Sequence, residues 1–258
     1  MNSATQLHAE LARSRVVVVG ASSGLGRCIG TGLVHRGYAV AFLGRRTDRL
    51  DDAVGEAGGG AVALTCDVRD SASCTAAIEE ACDVLGGVDG LVYSAGVGPL
   101  VPLVDTGPEL WREVFDTNVI GATVATAAAL PHLAAEGGRA VYLSSVSASM
   151  TPPWPGLGAY AVSKAALDKL VEAWRVEHPE VGFTRLVLGN SAGGTGHGAT
   201  EFTSSWDAGL ASEYIATWME HGHMSGAVLD VDEIISTVVG LFESGADIPS
   251  MTLMPPPP

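Results

Sequence analysis

At 258 residues, 47% hydrophobic and 17% charged, the chain is long enough for one domain with a substantial core and too apolar to be disordered. A formal charge of -15 argues against gripping a phosphate backbone or an anionic membrane, so neither nucleic acid nor membrane is expected as a partner. The balance fits a cytoplasmic protein. The cysteines at 28, 66, 74 and 82 form no C-x-x-C pair, so no metal site is read. The opening MNSATQLHAELARS lacks the basic start and apolar run of a signal peptide, and no uninterrupted apolar segment of transmembrane length is read elsewhere.

In chain order, Arg15–Val19 is a β-branched run that ends at Gly20 and predicts a buried parallel strand. A helix is predicted over 24–33, strands over 38–43 and 61–66, a helix over Ser71–Leu85 and a strand over 90–94. A long central helix follows at 108–135, with an irregularity expected near Gly121, then a strand at 139–144. The last elements are a helix at 157–177 stopped by Pro179, a strand at Gly182–Leu188, a helix at 231–242 and a short strand at 251–253. Helices alternating with strands imply a parallel sheet covered on both faces. No repeat or linker marks a second domain, so residues 1–258 read as one unit. The exception to the rhythm is a lid around 190–226, glycine-rich but carrying Phe202, Trp206, Tyr214, Trp218 and Met224, with a helix expected near 207–221. Its aromatic residues suit a substrate pocket, a satellite core or a subunit contact.

The motif VVVVGASSGLG sets Gly20, Gly24 and Gly26 between a strand and a helix. Small residues there, with Ser22, Ser23 and Leu25 between them, let a dinucleotide's pyrophosphate approach the helix-start N–H groups. At the end of the second strand, where a carboxylate would bind both ribose hydroxyls of NAD, the chain has Arg45 and Arg46. Guanidinium groups pair with a 2′-phosphate, so NADP(H) is favoured over NAD(H), with Arg45 the stronger candidate. Asp67 can accept from an adenine amino group while Val68 packs beside the ring. Ser94, Ala95 and Gly96 end the fourth strand with little bulk and can lie against the cofactor.

Tyr160 and Lys164 stand four apart, on one face of a helix. An ammonium beside a phenol favours the phenolate, which makes Tyr160 a proton donor and acceptor for carbonyl–alcohol chemistry. Ser144, Ser145 and Ser147 follow the fifth strand, where a hydroxyl can donate to a substrate carbonyl oxygen. Lys164 is expected to lower the tyrosine pKa and hold the ribose. Asn118 is read either as a helix hydrogen bonder or as an amide that fixes a water in contact with Lys164.

In this order, GASSGLG, Asp67–Val68, SAG at 94–96, Asn118–Val119, the serines and Tyr160-x-x-Ser163-Lys164 resemble the short-chain dehydrogenase/reductase superfamily. The resemblance implies an α/β fold with a doubly wound, seven-stranded parallel sheet, Rossmann-like, in three layers. It implies hydride transfer at the nicotinamide by a Ser–Tyr–Lys group with an Asn-supported proton relay, and a homodimer or homotetramer. Three departures stand out. Tyr93 replaces the first amide of the family's Asn-Asn-Ala-Gly. Ser145 has the better strand-end position, whereas Ser147 has the commoner distance to Tyr160; Ser145 is chosen. LGNSAGGTGHG replaces the Pro-Gly turn that meets the nicotinamide carboxamide, so Gly189 and Thr195 are assigned to the cofactor. The expected reaction is reversible reduction of a small, partly apolar carbonyl compound with NADPH. The alternatives are an epimerase or dehydratase that retains its cofactor, and a non-catalytic nucleotide sensor.

Overall fold

The β-branched run Arg15–Val19 forms β1, buried throughout after Arg15, as a strand covered on both faces requires. The structure, a computed structural model, describes residues 14–191, 193–194, 199–224 and 226–256. After β1 come α1 (Gly24–His35), β2 (Ala39–Gly44), α2 (Thr47–Ala57), β3 (Ala61–Thr65), α3 (Ser71–Leu85) and β4 (Gly90–Tyr93). Next are α4 (Pro108–Phe115), a π-helical turn (Asp116–Ile120), α5 (Gly121–Glu136), β5 (Arg139–Ser145) and α6 (Gly158–Glu177). The chain ends with β6 (Gly182–Leu188), α7 (Ala208–Glu220), α8 (Val231–Glu243) and β7 (Ser250–Leu253). Helix α2 has no counterpart in the sequence reading. It buries only Leu50, Ala53 and Ala57, too thin an apolar stripe to stand out among its charges.

The seven strands form one parallel sheet in the order β3-β2-β1-β4-β5-β6-β7. Alternate residues of each strand face opposite layers. Val17 and Val19 join Ile78, Ala125, Leu133 and Leu167 of α3, α5 and α6. Val16 and Val18 join Ile29, Leu33, Leu50 and Val238 of α1, α2 and α8. Burying a valine or leucine fully contributes roughly 1.5–3 kcal/mol, so these two layers hold the sheet between them. The strand order reverses between β1 and β4, and that switch opens a crevice beyond their C-terminal ends.

The irregularity ahead of Gly121 is the π turn, where the Gly121 N–H reaches back to the Asp116 carbonyl. The buried Tyr93 supports it: its hydroxyl donates to the Thr117 carbonyl at 2.5 Å. Gly121 leaves room for that hydroxyl, since a Cβ there would lie 2.7 Å from it. Tyr93→Phe removes the donor and leaves the buried carbonyl short of a partner. We expect a loss of about 1–3 kcal/mol of stability by urea unfolding, and an unchanged midpoint would contradict the role. Contrary to the sequence reading, Pro108–Glu136 is long and apolar enough to cross a membrane by length and composition alone. Here Ala122, Ala125, Ala129 and Leu133 bury one of its faces against the sheet, as in a core helix.

Candidate active site

The site begins where β1 stops. Gly20 turns the chain at φ 88°, and a Cβ on it would sit 2.5 Å from the Ala95 amide nitrogen, so this turn meets the end of β4 backbone to backbone. Gly26 serves the same closeness, because a Cβ there would lie 2.2 Å from Ser94 Oγ. Ser94 itself donates to the Val19 carbonyl at 3.1 Å, which commits its hydroxyl to β1. Ser23 precedes α1 without a side-chain cap bond, and the first turn carries no acid. The start of that helix is therefore a partly positive end in the crevice without a side-chain cap, where the Gly24 N–H donates to the Ala199 carbonyl.

Above this turn the arginines divide. Arg46 Nη2 donates to Ser22 Oγ at 2.8 Å and Ser23 Oγ at 2.9 Å, which lays its guanidinium over the glycine loop. Arg45 is exposed on the rim of the cavity. The geometry thus favours Arg46 over Arg45 as the contact for an anion. Arg46 also pairs with Glu201, whose other carboxylate oxygen lies 3.8 Å from Arg49. Burial, then Arg49 and Arg45, lower the pKa of Arg46, as expected where cations crowd. Asp67 accepts from the Arg69 amide at 3.0 Å. Burial raises its pKa, but the Arg69 backbone and side chain outweigh that and leave it lowered. Val68 packs into the core while still lining the cavity.

At the chemical end, α6 presents Tyr160, Lys164 and Asp168 at successive four-residue steps. The Lys164 ammonium donates to the Leu143 carbonyl at 2.7 Å and lies 5.8 Å from the centre of the Tyr160 ring. Burial pushes Tyr160 up to about 12; hydrogen bonding to Ser145 opposes the shift and Asp168 adds to it. Burial pushes Lys164 down to about 8, with Asp168 opposing. Lys164, expected to lower the phenol's pKa, is not among the causes of the Tyr160 shift. The ammonium is turned to a backbone carbonyl, and desolvation keeps Tyr160 a neutral phenol. Ser145 Oγ and Ser147 Oγ share a hydrogen bond of 2.9 Å, and both serines line the cavity with Tyr160.

Asn118 sits in the π turn, fully buried. Its Nδ2 donates to Val97 O at 2.9 Å and Ser163 Oγ at 2.8 Å, while Oδ1 accepts from Val97 N at 2.8 Å. Both of its donors are therefore occupied, and a water bridging to Lys164 has one lone pair of Oδ1 to use. That meeting point is beside Gly96, where a Cβ would lie 3.5 Å from Asn118 Oδ1 and 3.6 Å from Lys164 Nζ. Asn118 acts first as a clamp on the loop after β4.

One cavity of about 850 Å³ runs from Gly24, Leu25 and Arg46 past Ala95 and Gly96 to Ser145, Tyr160 and Lys164. Its outer wall comes from the lid. Phe202 meets Tyr160 edge-on at 5.0 Å, and Trp206 Nε1 donates to Gly98 O at 2.8 Å. Trp218, 2% exposed, donates to Pro155 O, so these aromatic residues are at once a satellite core and a wall of the cavity. Gly189 also lines it and donates to Leu253 O at 2.9 Å; Thr195 lies outside the described residues. Asp168 and Glu201 were not singled out in the sequence. Asp168 continues the spacing of Tyr160 and Lys164, whereas Glu201 lies in an irregular segment with no period to announce it.

Lys164 gives a pH prediction. In the folded chain it loses its proton near pH 8, while the unfolded chain keeps it to about 10.5. Between those values the unfolded state binds more protons, so the Lys164 contribution to stability rises with pH. Against Lys164→Met, wild type should gain up to about 3 kcal/mol from pH 8 to 10.5 in paired urea melts. Parallel pH profiles for the two would show that the ammonium is not desolvated.

The model of the short chain dehydrogenase family matches residues 14–205. A short chain dehydrogenase of Pseudocercospora fijiensis is 35% identical over 185 residues, which cover 69% of this chain and 59% of that protein. Glycine betaine reductase of Emericella nidulans is 31% identical over 231 residues, 86% of this chain but 17% of that protein. The chain thus spans less than two thirds of either relative. The solved alcohol dehydrogenase of the archaeon Thermococcus sibiricus, complexed with 5-hydroxy-NADP, superimposes with a TM-score of 0.75 at 25% identity, over 92% of this chain and 94% of that one. A glycine turn, a parallel sheet with its switch beside that turn, and a Tyr–Lys pair in the same cavity agree with these matches: the chain belongs to the short chain dehydrogenase family of oxidoreductases.

Proposed function

We propose that the chain transfers hydride between NADP(H) and the carbonyl or alcohol group of a small, partly apolar organic molecule. The observation that carries this reading is the continuity of one cavity from the start of α1 and Arg46 to Tyr160 and Lys164. A helix start without a side-chain cap and a guanidinium held by two serines fit the phosphates of such a cofactor. The bound cofactor supplies the hydride. The NADP analogue in the Thermococcus sibiricus enzyme supports the choice of the phosphorylated form.

Tyr160, kept neutral by burial, gives its proton to the carbonyl oxygen in reduction and regains one in oxidation. Ser145 donates to that same oxygen as negative charge develops on it. Lys164, charged below about pH 8, holds positive charge behind the phenol and is itself positioned by the Leu143 carbonyl. Asn118 fixes Val97 and Ser163 on either side of this group. Phe202, Trp206 and Trp218 offer the substrate an apolar wall and exclude water. The test is a panel of aldehydes, ketones and alcohols followed by NADPH and NADH absorbance. We expect turnover with apolar carbonyls and a preference for NADPH; tight NADPH binding with no product from any of them would favour a nucleotide sensor.

A further inference from the structure

We infer that Glu201 is a cofactor-selecting residue, which competes with an incoming 2′-phosphate for Arg46 and Arg49; this rests on the NADP(H) reading above. Its carboxylate is paired with the Arg46 guanidinium and lies 3.8 Å from that of Arg49. Arg46 is meanwhile held over the glycine loop by Ser22 and Ser23, so the ion pair forms at the cofactor turn, partly exposed. The neighbouring residues take part in the same occupation. The Ala199 carbonyl accepts from the Gly24 N–H at 3.3 Å, at the helix start that would face a pyrophosphate. Thr200 lies over Gly24, where a Cβ would approach it to 3.4 Å, and Phe202 covers Tyr160.

Residues 199–202 therefore set a carbonyl oxygen and a carboxylate of the chain on the groups that a dinucleotide's phosphates need. A phosphate carries about -1.5 to -2 charge against the single charge of the carboxylate, so it can displace Glu201 from the arginines. That exchange lowers the net gain from binding NADP(H). NAD(H) has a hydroxyl at this point and makes no such demand. It can bind with Glu201 still on Arg46, and the carboxylate can accept from the ribose hydroxyl. Glu201 thus lowers affinity for NADP(H) more than for NAD(H), and its removal should widen the preference for the phosphorylated cofactor.

The experiment is an equilibrium titration of the full chain, read by tryptophan fluorescence, with NADPH, NADH and 2′,5′-ADP as a probe of the phosphate contact. Four proteins are compared: wild type, Glu201→Gln, Arg46→Ala and the double variant. Because the pair is only partly buried, Glu201→Gln should tighten NADPH and 2′,5′-ADP by about threefold to tenfold, with NADH changed by less than about twofold. On the Arg46→Ala background the same substitution should have little effect, since the group competed for is gone. An equal change for NADPH and NADH, or an effect that persists without Arg46, would overturn the assignment. If Arg46→Ala destroys discrimination while Glu201→Gln is inert, Glu201 alone has been misassigned. If Arg46→Ala leaves discrimination untouched, the phosphate contact lies elsewhere and Arg46 and Glu201 are both misassigned, whereas a wild type with no preference for NADPH over NADH would show that the NADP(H) reading itself is wrong.

Discussion

Tyr160→Phe should retain the fold and cofactor affinity while kcat falls by about 10²–10⁴-fold in both directions. Phenylalanine keeps the ring that packs against the cluster of Leu100, Leu157 and Trp218 and meets Phe202 edge-on, so little of the surrounding cluster is disturbed. What goes is the hydroxyl, and with it the proton that burial retains on this side chain. Ser145 keeps its bond to Ser147 at 2.9 Å, so its hydroxyl is not orphaned. The measurement is kcat beside the dissociation constant for NADPH, with a thermal melt as control. Near-wild-type turnover would remove Tyr160 from the reaction. A matched loss of cofactor binding would instead make it a structural residue.

The second large effect concerns the phosphate. Arg46→Ala should weaken NADPH binding by about 10- to 100-fold and NADH binding by much less, in line with the loss of a charge-assisted contact. Arg45→Ala should have the smaller effect, because Arg45 stands exposed while Arg46 is oriented by Ser22 and Ser23. Titration of both cofactors against both variants checks this. Equal weakening of NADPH by the two variants would show that the hydrogen bonds to the serines do not select the arginine that binds.

Arg15–Val19 was legible because a buried parallel strand writes itself as a continuous β-branched run, and it and Gly182–Leu188 emerge with the bounds that the sequence suggests. Helix α2 was not, since three buried residues among charges give no clear periodicity. Within the site, the spacing of Tyr160 and Lys164 conveyed their shared helix face but not what surrounds them. The direction of the tyrosine's shift depends on desolvation and on where the ammonium points, and both are tertiary properties. The same holds for Asn118, whose donors are taken by Val97 and Ser163 from two other parts of the chain. Arg46 was visible as a cation, yet only the fold shows that the serines of the glycine turn hold it and that Glu201 from the lid pairs with it.

The most direct test is an experimental structure of the chain with NADP bound. The account predicts the 2′-phosphate on Arg46 with Glu201 moved aside, and the nicotinamide ring next to Tyr160, close enough for a carbonyl carbon to face the ring while its oxygen meets the phenol. A cofactor seated with its nicotinamide outside the cavity, and the Tyr160 hydroxyl beyond reach of any group bound beside it, would contradict the account at its centre.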